Sequence, residues 1–240
     1  MLHKTRGIVL KSTNYSESSV VAQVFTEKFG LQSYIVNGAR KPKAKIGNNI
    51  LQPLHLLDMV VYYRANTSLQ RISEARQKPA FQTIPYDIGK STVALFLNEV
   101  LYKCLRQQSS DEPLFGFVFN AVSWLDGTER MPPDFHLLFL LKLSRYLGFH
   151  PAPRKQGQPF FDLKDGVFCS RLPAHPLVLE QPHTSLFASL LSAPFDLPKA
   201  LQLPLADRRF LLSRILEFYQ FHVDGFGEIR SRDVLETVLS

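Results

Sequence analysis

The rhythm of apolar positions along the chain changes near residue 80. Up to that point apolar residues come in short runs separated by turn signals. "RGIVLKS", "SSVVAQVFT", "LQSYIVNG", "ILQPLHLLDMVVYYRA" and "SLQRISEARQ" each read as a strand rich in β-branched residues. In the second run Val20, Ala22 and Val24 share one face while Val21, Gln23 and Phe25 share the other. "TEKFG" supplies a Gly-ended turn, and Pro53 favours an edge or a bulge near the start of the fourth run. Five short strands in under 80 residues, with no long helix among them, predict a small closed barrel of the OB type, which commonly binds single-stranded nucleic acid across one face.

Beyond "QKPAFQTIPYD" the period becomes helical: "STVALFLNEVLYKCLRQQ" repeats apolar residues at Val93, Leu97, Val100 or Leu101, Cys104 and Leu105. "EPLFGFVFNAVSWLD" and "PPDFHLLFLLKLSRYLGF" follow as helices expected to open with proline in the first turn, and both are apolar nearly all round, as central helices of a bundle are. From His150 to Pro182 the period lapses into a proline-rich insert with one hairpin, "FFDL" and "VFCS" about the turn dipeptide Asp165-Gly166. Helices resume in "HTSLFASLLSAP", "PLADRRFLLSRILEFYQFHV" and "SRDVLETVLS", the last with Ser231 expected as its N-cap. The fold class expected is therefore α+β multidomain. A five-stranded OB-type barrel occupies 1–80, and an otherwise all-α domain with a small irregular hairpin insert at 150–182 occupies 81–240.

Charge sharpens this division. Residues 1–80 carry 12 Lys and Arg against 4 Asp and Glu, and the rest of the chain carries 16 against 17, so the whole excess of +7 lies in the barrel segment. Clustered cations of this kind suit a polyanion, because each neutralised phosphate releases condensed counterions. The focus is "NGARKPKAKIGNN", which presents Arg40, Lys41, Lys43 and Lys45 within six residues, with Gly38 and Gly47 to turn the chain and Pro42 to stiffen it. Lys4, Arg6, Lys11 and Lys28 are candidate extensions of the patch. Phe25, Phe29, Tyr34, Tyr62 and Tyr63 are the barrel's aromatic residues, with Tyr34 the foremost candidate to stack a base, and of the adjacent Tyr62 and Tyr63 one is expected to face outward.

Several function classes find no support. There is no Walker A sequence, no GxGxxG after a strand, no GxSxG and no HExxH, so the expectation is a non-enzyme. Cys104 and Cys169 form no CxxC pair, and Cys169 and His175 in the insert, with His183 just after it, read as solvated or packed residues rather than metal ligands. No apolar run reaches the roughly 18 residues of a bilayer span and the N-terminus lacks the order of a signal peptide, so no membrane association and a cytoplasmic location are expected. Lys142 and Arg145, three apart on the apolar helix "FHLLFLLKLSRYLGF", are a weaker candidate for holding an apolar, acidic peptide. The charge pattern alone also permits an RNA- or ribosome-associated OB module, or a protein-interaction scaffold.

Gly7 to Leu10 (GIVL), Glu17, Phe25-Thr26, Gly30, Gly38 to Lys43 (GARKPK) and Gln52-Pro53 occur in the order found in the N-terminal domain of the bacterial recombination mediator family RecO. "LNEVLYKCL", "LSRYLGFHP" and "IRSRDVLETVL" extend the resemblance over nearly the whole chain. It implies binding of single- and double-stranded DNA, annealing of complementary strands, a nucleoid association, and action with RecR to help RecA replace the single-strand-binding protein. By motif position, DNA contact is carried onto Arg40, Lys41 and Lys43, with Lys45 added from charge alone. Contact with the C-terminal tail of the single-strand-binding protein is carried weakly onto Lys142 and Arg145. Many members hold zinc through two CxxC pairs just after the LGF-x-P segment, whereas "APRKQGQPFFDLKDGVFCSRL" offers only Cys169, so no cofactor is expected here.

Overall fold

The computed structural model of the protein describes residues 1–106, 109–194 and 203–239. Gln107, Gln108 and Ser240, at the ends of two expected helices, lie outside the described residues. Five strands, β1 (Leu2–Asn14), β2 (Val20–Thr26), β3 (Gly30–Val36), β4 (Leu56–Tyr62) and β5 (Leu69–Gln77), close a barrel in the order β1-β2-β3-β5-β4. This is the OB arrangement the strand spacing predicts. β3 and β5 run parallel over three residue pairs, Ser33–Leu69 to Ile35–Arg71, while the other neighbours are antiparallel and β4 closes onto β1 from Tyr62–Leu2 to Leu56–Ile8.

Val20, Ala22 and Val24 fill the interior together with Val9, Tyr34, Leu57, Met59 and Val61. Phe25, on the opposite face of β2, is equally buried because its ring packs 5.8 Å from that of Phe115 in a helix outside the barrel. Gly7 marks the tightest interior approach: a Cβ there would lie 2.6 Å from Val24 Cγ1 and 2.7 Å from Met59 Cε.

The fourth expected strand starts late. Asn48–Leu51 form a 3-10 turn, and Leu54 sits buried at φ +61°, donating its N–H to Val9 O at 2.7 Å. That turn takes up the Pro53 segment, and the ladder irregularities fall instead at Val9/Lys11 and Val60/Val61.

After the barrel come α1 (Ile88–Cys104) and α2 (Glu112–Gly127). Asp87 caps α1 by accepting the Lys90 N–H at 2.9 Å. The Asp126 carboxylate at the end of α2 accepts the N–H groups of Gln82, Thr83 and Ile84 at 2.8–2.9 Å, which ties the connecting segment down. Asn98 of α1 donates to Leu10 O of β1 at 3.1 Å. These contacts put α1 and α2 in one compact unit with the barrel, residues 1–127. The switch from strand to helix near residue 80 and the packing boundary are thus different places in the chain.

The second unit, residues 128–240, contains α3 (Phe135–Tyr146), α4 (His183–Ser192), α5 (Leu205–His222) and α6 (Ser231–Val238). α3 is buried on nearly every side, and Tyr219 of α5 donates its hydroxyl to Leu140 O at 2.6 Å. Pro132 and Pro133 precede α3 in a turn instead of opening its first turn, with the Phe135 N–H donated to Pro132 O. Ser231 is the first residue of α6 and the cap position is Arg230, so the expected serine cap is displaced by one. The hairpin expected in the insert forms from β6 (Phe160–Asp162) and β7 (Val167–Cys169). A third strand, β8 (Val178–Leu179), pairs with β6 and was not apparent from the sequence because it is only two residues long. Among the described residues no helix is long and apolar enough to cross a membrane.

Candidate nucleic-acid interface

The basic loop joins β3 to the 3-10 turn, and its apolar residues decide where its cations point. Ala39 and Ile46 are buried in the barrel core, so the chain between them is pinned at both ends. The Arg40 N–H is donated to Ser18 O (3.1 Å), the Asn48 N–H to Ala39 O (3.0 Å) and the Lys41 N–H to Gly38 O (3.0 Å), with Gly38 at φ +72°, where a side chain is strained. Lys41 and Lys43 stand exposed at the tip, and among the described residues no ion pair involves either. Arg40 is also exposed but spends one donor on Ser16 O at 3.2 Å. The Lys45 ammonium lies 3.7 Å from the Glu74 carboxylate.

Lys45 also lines a groove of about 710 Å³ across β1, β4 and β5, shared with Lys4, Arg6, Lys28 and Arg76 and with the acids Glu27, Asp58 and Glu74. Strand register arranges these in rows: Arg6, Asp58 and Arg76 face one another across three strands, and Lys4, Val60 and Glu74 form the next row. Arg6 grips Glu27 with two bonds, Nε at 3.1 Å and Nη2 at 2.6 Å, and its guanidinium lies 4.8 Å from the Phe119 ring centre and 5.3 Å from that of Phe115. The Arg6 hydrogen bonds outweigh partial burial and hold the Glu27 carboxyl below its ordinary range. Asp58 takes both Arg76 (3.2 Å) and Lys78 (3.6 Å).

The sequence candidates therefore separate. Arg40, Lys41, Lys43 and Lys45 share one loop, Lys45 leads into the groove, and Lys4 and Lys28 continue along it, whereas Lys11 lies over the Tyr102 ring of α1 with Nζ 3.3 Å from the hydroxyl. Tyr34 must be corrected. Its ring is fully buried in the barrel core and cannot meet a base; burial also raises its hydroxyl pKa. A closed barrel buries one parity of each strand, and Tyr34 has the buried parity. Of the tyrosine pair, Tyr62 is 47% exposed, while Tyr63 stacks on Phe29 with ring centres 4.0 Å apart. The sequence reading gave the Phe29–Tyr63 pair no special weight, although each residue has a cation beside it in the chain, Lys28 and Arg64.

In the second unit, Lys142 is half-buried and donates to Leu191 O at 3.1 Å in the last turn of α4, where a cation complements the helix end. Burial first, and the nearby Arg145 second, lower its pKa. Arg145 is exposed.

Comparison with known proteins decides the family. Residues 1–81 match the model described as "Recombination protein O N terminal" and residues 85–233 the model described as "Recombination protein O C terminal". The chain belongs to the RecO family. It is 33% identical over 241 residues to the DNA repair protein RecO of Phocaeicola vulgatus, covering 100% of both chains. It is 35% identical to that of Flavobacterium johnsoniae with 99% of both chains covered, and 34% identical to that of Bacteroides fragilis with 98% covered.

The zinc that the RecO resemblance implies does not fit the residues of this insert. Cys169 is its one cysteine, and burial together with the Asp162 charge raises its thiol pKa, the opposite of what a thiolate ligand needs. Asp162 accepts the N–H groups of Lys164 (2.9 Å) and Asp165 (3.1 Å) and faces His175 Nε2 at 3.1 Å, while His183 faces Asp207 at 3.1 Å. Among the described residues no three His, Cys, Asp or Glu side chains converge as a metal site. Phe161, Phe168, Phe187 and Phe218, with ring centres 4.5–6.2 Å apart, fill the space under the small sheet.

Proposed function

We propose that this protein acts in DNA repair and recombination by binding DNA backbones with the basic loop and adjoining barrel surface. By neutralising phosphate repulsion it lets complementary strands anneal. With RecR it helps RecA replace the single-strand-binding protein, whose tail meets the helical unit. The process needs no bond to be made or broken. The observation that carries the reading is the pair Lys41 and Lys43, exposed and without a carboxylate partner among the described residues, on a loop that Ala39 and Ile46 hold in place. With the backbone already fixed, meeting a phosphate orders the lysine side chains without also ordering the loop.

The test is a titration of labelled single-stranded DNA at several salt concentrations. With about four to five phosphates neutralised, log K is expected to fall against log[salt] with a slope of roughly −3 to −4. Changing Arg40, Lys41, Lys43 and Lys45 to Glu is expected to flatten that slope and abolish annealing. Undiminished DNA affinity in that variant would sink the proposal in favour of a protein-interaction scaffold, and tighter binding to structured RNA than to DNA would favour the RNA-associated reading.

A further inference from the structure

We propose that His3, Phe29 and Tyr63 form a stacking platform for unpaired bases at one end of the barrel, with Lys28 and Arg64 placed for the adjoining phosphates. The inference rests on the DNA reading above and adds to it a site for bases where that reading has only backbone contacts.

Three separate segments converge here: the start of β1, the β2–β3 turn and the end of β4. Phe29 and Tyr63 stack at 4.0 Å with 13° between their planes, and His3 meets both edge-on at 5.3 and 6.4 Å. All three residues are partly exposed. Phe29 and Tyr63 each have an exposed cation as chain neighbour, Lys28 and Arg64, outside the strands, whereas Lys4 lies on the opposite face of β1 from His3. Phe29 also packs against the barrel core, so the cluster closes the barrel end as well as standing partly exposed. A single strand needs rings for the π-faces of its bases and cations for the phosphates between them.

The platform is also built rigidly. Thr26 Oγ1 accepts the Phe29 N–H at 3.2 Å and donates to Gly30 O at 2.8 Å, Gln32 donates to Phe29 O at 2.7 Å, and the Tyr63 N–H is donated to Met1 O at 3.3 Å. The buried Gln70 amide holds both the N–H and the C=O of Arg64, at 3.1 and 2.8 Å. Lys28 lines the same groove as Lys45, so a strand whose bases rest on the platform has a path to the basic loop along a groove of mixed charge, past the acids Glu27, Asp58 and Glu74. The site size of an OB fold, about 4–16 nucleotides, accommodates such a path.

The experiment compares the full-length protein with a Phe29→Leu/Tyr63→Leu variant, which keeps apolar bulk under the barrel end and removes the stacking faces. Three probes of equal length are used: an oligothymidylate, an abasic oligonucleotide and a duplex. The variant is expected to lose about 10-fold in affinity for the oligothymidylate, less than twofold for the duplex and the abasic strand, and with it the wild type's preference for bases over abasic sites. A Tyr63→Phe variant is expected to bind as wild type, and thermal melting of each variant reports folding. Equal losses on all three probes, or an unchanged preference for bases, would overturn the platform. Failure of the platform alone leaves salt-dependent binding and its sensitivity to Lys41 and Lys43 intact, whereas absence of that binding in the wild type overturns both readings.

Discussion

The basic loop and the groove beside it hold similar numbers of cations and use them differently. In the groove Arg6, Arg76 and Lys45 each face an acid across strands or from loop to strand, so the positive charge is largely answered within the fold. At the loop tip Lys41 and Lys43 face solvent. The difference lies in the backbone. Strand register sets residues opposite one another at fixed spacing, so the Arg6–Asp58–Arg76 row follows once the ladder forms. The loop, pinned by Ala39 and Ile46 and by backbone hydrogen bonds, sets no acid opposite Lys41 or Lys43 among the described residues. Charge counted along a sequence is therefore an upper bound on the charge available to a ligand.

The sharpest way to break this comparison is to split the loop. Lys41→Glu/Lys43→Glu is expected to account for most of the loss seen with all four positions changed, about 10- to 100-fold in single-stranded DNA affinity at low salt, with the salt slope flattened by more than about 1. Arg6→Ala, by contrast, is expected to leave the slope nearly unchanged and to lower stability by about 1–2 kcal/mol, measured by urea unfolding, since it removes a bidentate pair and ring contacts to α2. A large DNA defect in Arg6→Ala with little loss at Lys41 and Lys43 would reverse the assignment of the two regions.

A smaller effect works in the other direction. Glu74→Gln releases Lys45 from its partner at 3.7 Å, and single-stranded DNA affinity is expected to rise about twofold with the slope steeper by about 0.7, one additional phosphate contact. The pair is exposed and contributes little to stability, so the melting temperature should stay in place. Unchanged affinity would mean that Lys45 is already available despite Glu74.

Much of this molecule was legible in its residues. Short β-branched runs between turn signals specified the barrel, and the ordered GIVL, GARKPK and QP segments specified the family, because both are local features. Tyr34 was misread because alternation gives two faces without saying which one a closed barrel turns inward, and Phe25 shows that the outer face too can be covered, here by Phe115. The late start of β4 followed from Leu54 adopting a left-handed conformation, which no propensity assigns to leucine. The ion pairs and the Phe29–Tyr63 stack were not legible, because each joins residues whose separation in the chain gives no hint of their register. In the insert, the Asp162 bonds and the phenylalanine cluster that hold the small sheet were not legible.

The smallest expected effect concerns the pH dependence of the answered charges. Because the Arg6 hydrogen bonds depress the Glu27 carboxyl in the folded protein, the ionised acid favours the fold. That contribution is fully present above the ordinary carboxylate range and is lost as pH falls through the lowered folded-state value, where the proton competes with Arg6. Solvent screens the pair, with Arg6 42% and Glu27 25% exposed, so the change should stay below about 1 kcal/mol. Asp126, also depressed because its backbone hydrogen bonds and Lys90 overcome burial, adds an acid-side loss of the same sign. The informative quantity is therefore the difference in urea midpoint between wild type and Arg6→Ala, measured from pH 7 down to pH 3. Asp126 contributes equally to both chains and cancels. The gap between the two should narrow toward low pH, leaving only what the ring contacts of Arg6 supply; a gap that stays constant would place the whole contribution of Arg6 in its packing on Phe115 and Phe119.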